Sequence, residues 1–505
     1  MLAILQFDSA ALPLLQRMLA DGRLPTLAGL RRRGRWETLE AKAAFLQSST
    51  YMTLCTGMDV REHGIYSAVP WSAADQRPRF MYTFPHPPTI WDRLTMRGRR
   101  SLILDPILAW APRRIHGVYL SGWQFEDRMV ARGLSLPRGV RRSLIRRCGR
   151  PPRLDDVYGT RRVSWLLAWR DHLVRAPARV ADAAVPLIQR ESFDLAWINF
   201  GAAHKAGHHL WDPAAVVGES LAEDQQRALQ EGLTEVYAAV DRAIARILDA
   251  LPGSADVIVF SPTGMDANTS RADLLPGMLD AVLSVRARQT PVTRGRTRSP
   301  IWALRSAIPT EWRDRLARAL PDAVVADVAT RLYLRRDWAR TRAIAVPGEN
   351  KGYVRVNLAG RERDGIVPPG EMDELVETII RGLLTFRDPD GSPSIACVER
   401  MSQMATRGSC LSRLPDLVVH WGERPAVRMK YVTSPMHGEV ARWGVGSGRS
   451  GNHVDDAWAI LVPGASRVRD IGRPGRITDI GATACALLGG DATGLSGTSL
   501  LEANR

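Results

Sequence analysis

An α/β protein, with a mainly parallel sheet flanked by helices and an inserted cap, is predicted by three features of the 505-residue chain. Short apolar runs recur, each followed by small or polar residues. Stretches with apolar residues at helical spacing lie between them. One long segment then breaks the alternation, as an insertion would.

The apolar runs fall at 2–7, 101–104, 118–121, 194–200, 256–260, 417–420 and 458–462. They read as buried parallel strands, whose C-terminal ends carry the chemistry in folds of this class. Over 229–251 a helix is predicted. Leu229, Leu233, Val236, Val240, Ile244, Ile247 and Leu251 form one stripe, and Pro252-Gly253 stops it. A second helix follows Pro368-Pro369, with Met372, Leu375, Val376, Ile379, Ile380 and Leu383 on one face. Residues 276–429, rich in Arg, Pro and Trp, contain the strand-like GYVRVNLAG at 352–360. They are expected to form a cap over the C-terminal edge of a core made of 1–275 and 430–505, with core strands resuming near Leu417.

Composition narrows the class. A chain that is 45% hydrophobic and 24% charged is an ordinary globular one. The start, MLAILQFDSAALPLLQ, has an acid at Asp8 and no basic stretch before its apolar run, unlike a secretory signal. No run approaches the roughly 18 apolar residues of a membrane span. Five scattered cysteines without a CxxC pair fit free thiols in a reducing compartment. A soluble, cytoplasmic protein is expected, with no membrane partner. The net charge of +16 would ordinarily point to nucleic acid. Only four of the 69 basic residues are lysine, a skew of codon bias rather than of a selected polybasic surface, and no recognition motif accompanies it. Nucleic acid is therefore not the predicted partner; a small anionic substrate is.

The strand-end segments are QFDS at 6–9, QSSTYMTLCTGMDVREHGIYS at 47–67, HKAGHHLWD at 204–212, FSPTGM at 260–265, GNH at 451–453 and ITDIGATACALLGG at 477–490. In order, spacing and context they resemble the type I phosphodiesterase/nucleotide pyrophosphatase branch of the alkaline phosphatase superfamily, nearly end to end. The resemblance implies a phosphoryl- or sulfuryl-transfer enzyme with two metal ions, usually zinc, and a Thr or Ser nucleophile. In that family one metal is held by an Asp, a His four residues on, and a His near the C-terminus. The other is held by the first-strand Asp, the nucleophile and the Asp-His of an S-D-H-G segment.

Carried over residue by residue, half of this apparatus remains. His208 and His453 match the first metal's histidines, and His204 stands at its Asp position. Three neutral imidazoles suit Zn²⁺ and leave a fourth position open. Against a reading as capping or surface residues stands their scarcity: three of only ten histidines fall on these positions. At the second metal Asp8 remains, but Ser261-Pro262-Thr263-Gly264 replaces S-D-H-G, and neither proline nor threonine substitutes for the lost ligands. Asp266 lies close enough in sequence to compensate. Gln47 occupies the nucleophile position; a one-residue slip offers Ser48, followed by Ser49 and Thr50.

The expected site is therefore Asp8 and Ser48 as catalytic groups, with one Zn²⁺ on His204, His208 and His453. The expected activity is a metal-dependent hydrolase or transferase for a phosphate or sulfate ester. The alternatives are a pseudoenzyme that keeps the fold and a non-hydrolytic metalloenzyme. His209 is expected to back a ligand or to pack, Lys205 to be solvated or else to contact an anionic group, His63 to be structural, and His437 to be a loop residue or an acid/base. Asp8 has the alternative of capping the helix after the first strand. A carboxylate or carbonyl should lie behind each ligand ring.

Overall fold

The structure, a computed structural model, describes the chain apart from residues 42–48, 128–129, 156–158, 285–311, 313–319, 321–337, 349, 405–407, 443–445 and 505. Side-chain alternation along the first strand, Leu2–Phe7, sets the layering. Ala3, Leu5 and Phe7 enter one hydrophobic layer, and Leu2 and Ile4 the other. A strand buried on both faces must be apolar nearly throughout, as LAILQF is.

This strand lies near the middle of a nine-stranded sheet, between Asp256–Ser261 and Leu195–Phe200. Ser101–Leu104 and Gly117–Ser121 continue the parallel order. The helices Val163–Arg190 and Glu223–Leu248 cover one face. Ser49–Thr56, Ile90–Met96 and Ile477–Leu488 cover the other. The predicted 229–251 helix thus starts earlier, at Glu223, and ends at Leu248. The helix after Pro368-Pro369 forms as Met372–Leu383.

Two strand expectations need correction. Leu417–Trp421 does not return the chain to the large sheet. It pairs antiparallel with Gly352–Val356 and Ile395–Arg400 in a separate four-stranded sheet, packed against the helices Leu275–Leu283 and Met372–Leu383. A short apolar run is buried alike in either sheet, so its composition does not say which it joins. Ala457–Val462 does lie in the large sheet, but antiparallel to both neighbours. One of those neighbours, Arg35–Glu40, is half exposed and charged, and carries no apolar run to announce it. Among the described residues, no helix is long and apolar enough to cross a membrane.

Candidate metal centre

The first strand ends at Phe7, and the next residue, Asp8, is fully buried. Ser9 follows with φ 57°, a left-handed backbone that costs an L-residue roughly 1–2 kcal/mol. The helix Ala202–Leu210 opens through Gly201 just past the neighbouring strand, Leu195–Phe200. Its His204 and His208 are one turn apart and share a face. The third histidine arrives from the far end of the chain, on the strand Gly451–Val454. That strand runs so close to the helix that a Cβ on Gly451 would sit 2.2 Å from the Gly207 carbonyl oxygen. Only glycine allows this approach.

The three imidazoles converge. Ring centroids are 4.9 Å apart for His204 and His208, 4.7 Å for His204 and His453, and 4.9 Å for His208 and His453. One ligand atom from each lies within 4.8 Å of the others. Every ring is held through Nδ1. His204 donates to Asp8 Oδ2 at 2.9 Å and His208 to the Gly451 carbonyl at 2.9 Å, while His453 meets the Ser9 hydroxyl at 3.3 Å. Carboxylate and carbonyl oxygens only accept, so His204 and His208 each carry a proton on Nδ1, which leaves Nε2 as the nitrogen that would face a metal. For His453 the group behind the ring is a hydroxyl rather than the expected carboxylate or carbonyl.

These features fit a divalent ion. The His453 Nε2 is buried and makes no hydrogen bond. Burial above all, with the Arg449 charge adding to it, holds this imidazole well below the usual histidine range, so it stays neutral. Imidazole nitrogen is a preferred zinc donor, and rings held from behind are what a zinc site requires. Among the described residues, no other group of three His, Cys, Asp or Glu is disposed to hold a metal.

The profile of the type I phosphodiesterase/nucleotide pyrophosphatase family matches residues 2–438. The chain belongs to this family. Solved structures agree on the fold. The alkaline phosphatase PafA is 11% identical with a TM-score of 0.55, covering 99% of this chain and 98% of its own. Phosphonoacetate hydrolase from Sinorhizobium meliloti 1021, solved with phosphonoformate, is 12% identical with a TM-score of 0.50, covering 96% and 95%. The same enzyme solved with phosphonoacetate is 13% identical, also with a TM-score of 0.50. No curated protein sequence matches the chain. Family and fold together make it an enzyme of the alkaline phosphatase superfamily, in the phosphoester hydrolase class.

At residues 261–264, where the resemblance implied ligands for a second metal, the side chains are otherwise engaged. The Thr263 hydroxyl donates to the Val454 carbonyl at 2.7 Å. Ser261 donates to the Thr263 carbonyl at 2.8 Å and accepts from the Ala10 amide at 2.9 Å. Both hydroxyls thus serve the backbone. Asp266 is exposed, accepts from the adjacent Ala267 amide, and does not join the imidazoles. Gln47 and Ser48 lie outside the described residues. Asp8 caps no helix: the next one, Leu12–Ala20, has no side-chain cap. Its carboxylate instead faces His204.

Other residues resolve as follows. His209 sits edge-on to Trp165 and Trp169, as packing demands. Lys205, expected in solvent, is buried in an ion pair with Asp127 and donates to the Leu154 carbonyl at 3.1 Å. His437, in the turn between Tyr431–Ser434 and Gly438–Ala441, stacks on Phe386. The residues that sequence reasoning missed are Ser9 and Tyr51. The Tyr51 hydroxyl lies 2.9 Å from His204 Nδ1 and donates to Asp8 Oδ1 at 3.1 Å. No motif marks this tyrosine; only its place beside the expected nucleophile positions points to it.

His63 is structural. Its Nδ1 accepts from the Ile65 amide at 3.1 Å, so Nε2 carries the proton donated to Thr53, also at 3.1 Å. Burial pushes its pKa down to about 3. The unfolded chain binds this proton near the ordinary value of about 6.5 and the folded one does not. Stability therefore falls as pH drops from about 6.5 towards 3. Urea titrations across that range should show the loss, and His63→Gln should flatten this part of the profile. An unchanged slope would remove His63 as its cause.

Proposed function

We propose that the chain is a metal-dependent hydrolase or transferase acting on a phosphate or sulfate ester through a mononuclear centre of His204, His208 and His453. The observation that carries this reading is the convergence of three imidazoles whose ligand atoms lie within 4.8 Å of one another. A zinc ion bound there would supply a Lewis acid that stabilises negative charge on the substrate's oxygens. All three histidines are buried, which keeps bulk water from competing for their ring nitrogens. Asp8 orients His204. The Asn350 amide donates to the His453 carbonyl at 2.8 Å, fixing the strand that carries this ligand from the side of the four-stranded sheet. Ser48 is the hydroxyl proposed to attack, by its sequence position alone.

A small anionic substrate is the proposed partner, in keeping with the phosphonoformate bound by the S. meliloti hydrolase. The five free cysteines support placement in a reducing compartment, hence the cytoplasm. A second reading, a pseudoenzyme, is favoured by the replacement of S-D-H-G. Turnover of simple phosphomonoesters and phosphodiesters is expected to be poor, because two ions are needed to hold both the attacking and leaving oxygens efficiently. A screen of chromogenic phosphate and sulfate esters, run beside elemental analysis of the purified protein, tests this. Two metals per chain with robust phosphodiester hydrolysis lost in Ser48→Ala would overturn the mononuclear assignment. No metal and no turnover would leave the pseudoenzyme.

A further inference from the structure

We infer that Ser9 and Tyr51 are positioning residues that tie the Asp8 carboxylate to two of the three imidazoles, so that Asp8 serves the histidine cluster and not a second ion. The inference rests on the mononuclear reading above and assigns work to residues that reading leaves idle.

The hydrogen bonds run in one direction. A ring that offers its Nε2 lone pair must carry its proton on Nδ1. His453 Nδ1 then donates to Ser9 Oγ at 3.3 Å, and the Ser9 proton passes on to Asp8 Oδ1 at 3.4 Å. The Tyr51 hydroxyl also donates to Asp8 Oδ1, at 3.1 Å, and Gln6 Nε2 does so at 3.3 Å. On the other oxygen, His204 Nδ1 donates at 2.9 Å, its proton shared with the Tyr51 oxygen at the same distance. Four donors thus converge on a carboxylate that is fully buried, and about four is what its lone pairs accept.

Ser9 gives the second, independent sign. Its φ of 57° is one of four positive values at non-glycine residues among those described. Strain of this kind persists where surrounding structure holds it, commonly at functional sites. Here it accompanies a hydroxyl placed between His453 and Asp8. Glycine would adopt the same backbone at no steric cost, which separates the strain from the hydroxyl.

Ser9→Gly, Tyr51→Phe and the double variant of the full-length chain test the inference. Zinc affinity is read by competition with a chromophoric chelator, the site's geometry by the absorption spectrum of the cobalt(II) form, and folding by the thermal midpoint of the zinc-free protein. Ser9→Gly is expected to keep or raise the midpoint yet weaken zinc binding about tenfold or more, the usual scale for groups behind a ligand. Its cobalt spectrum should change as His453 loses its orientation. Tyr51→Phe should also weaken zinc, and the double variant should lose less than the product of the two, since both act on Asp8. Unchanged zinc affinity and cobalt spectra in Ser9→Gly and Tyr51→Phe would overturn this inference alone. If the unsubstituted chain takes up neither zinc nor cobalt, the mononuclear reading falls and this inference with it.

Discussion

His453→Ala is expected to strip the purified protein of its metal, from about one zinc per chain to a small residue, and His204→Ala to do the same. With two imidazoles left, the site falls below the three protein ligands that even an open catalytic zinc centre keeps. The loss should be specific. Thr263→Ala removes a hydroxyl that donates to the Val454 carbonyl and no ligand, so its zinc content should stay near that of the natural chain. Elemental analysis after dialysis against a weak chelator provides the measurement. Zinc retained in His453→Ala would show that the convergence of the three rings has another cause.

Lys205→Met is expected to produce the largest loss of stability. Lys205 and Asp127 are each 4% exposed at the side chain and paired with one another. Removing the cation takes the paired charge away from a buried carboxylate, a change that costs about 3–5 kcal/mol. The Lys205 ammonium also stands over the Phe125 and Trp169 rings, 5.8 Å from each ring centre, and methionine keeps a chain of similar length there without the charge. Charge is therefore what the substitution tests. The double variant Lys205→Met/Asp127→Leu should recover much of the loss, because two apolar groups of similar size replace a buried pair at little net cost. Urea unfolding midpoints decide it, and a loss in Lys205→Met below about 1 kcal/mol would place the pair among ordinary surface contacts. Since Lys205 lies in the same helix as His204 and His208, zinc affinity should fall with stability.

The misreading of Lys205 marks what one-dimensional reasoning leaves out. A lysine among histidines on a short segment is ordinarily solvated. This helix is buried along its whole length, between the long helices on one side and the Gly451–Val454 strand on the other. Its carboxylate partner, Asp127, stands 78 positions away. The segment's own composition holds no trace of that pairing. Tyr51 escaped notice for a similar reason: its ring carries the hydroxyl away from its own helix to Asp8 and His204, so local spacing says nothing of where it ends.

The sequence by itself determined the alternation of strands and helices, the family, and the identity of all three imidazoles. These follow from local signals. Apolar runs and 3.6-residue stripes are set by burial, and His204 and His208 share a face through helix geometry alone. Only the tertiary structure decided that Leu417–Trp421 belongs to the smaller sheet and that Ala457–Val462 runs antiparallel. It also decided that Asp8 turns to His204 and, with Ser9, backs the imidazole cluster. The physical reason is common to all of these. Strand pairing and hydrogen-bond direction are made between residues up to 444 positions apart, as Ser9 and His453 are. They depend on which partner offers a free backbone edge or lone pair in space, and a single chain read in order does not encode that one residue at a time.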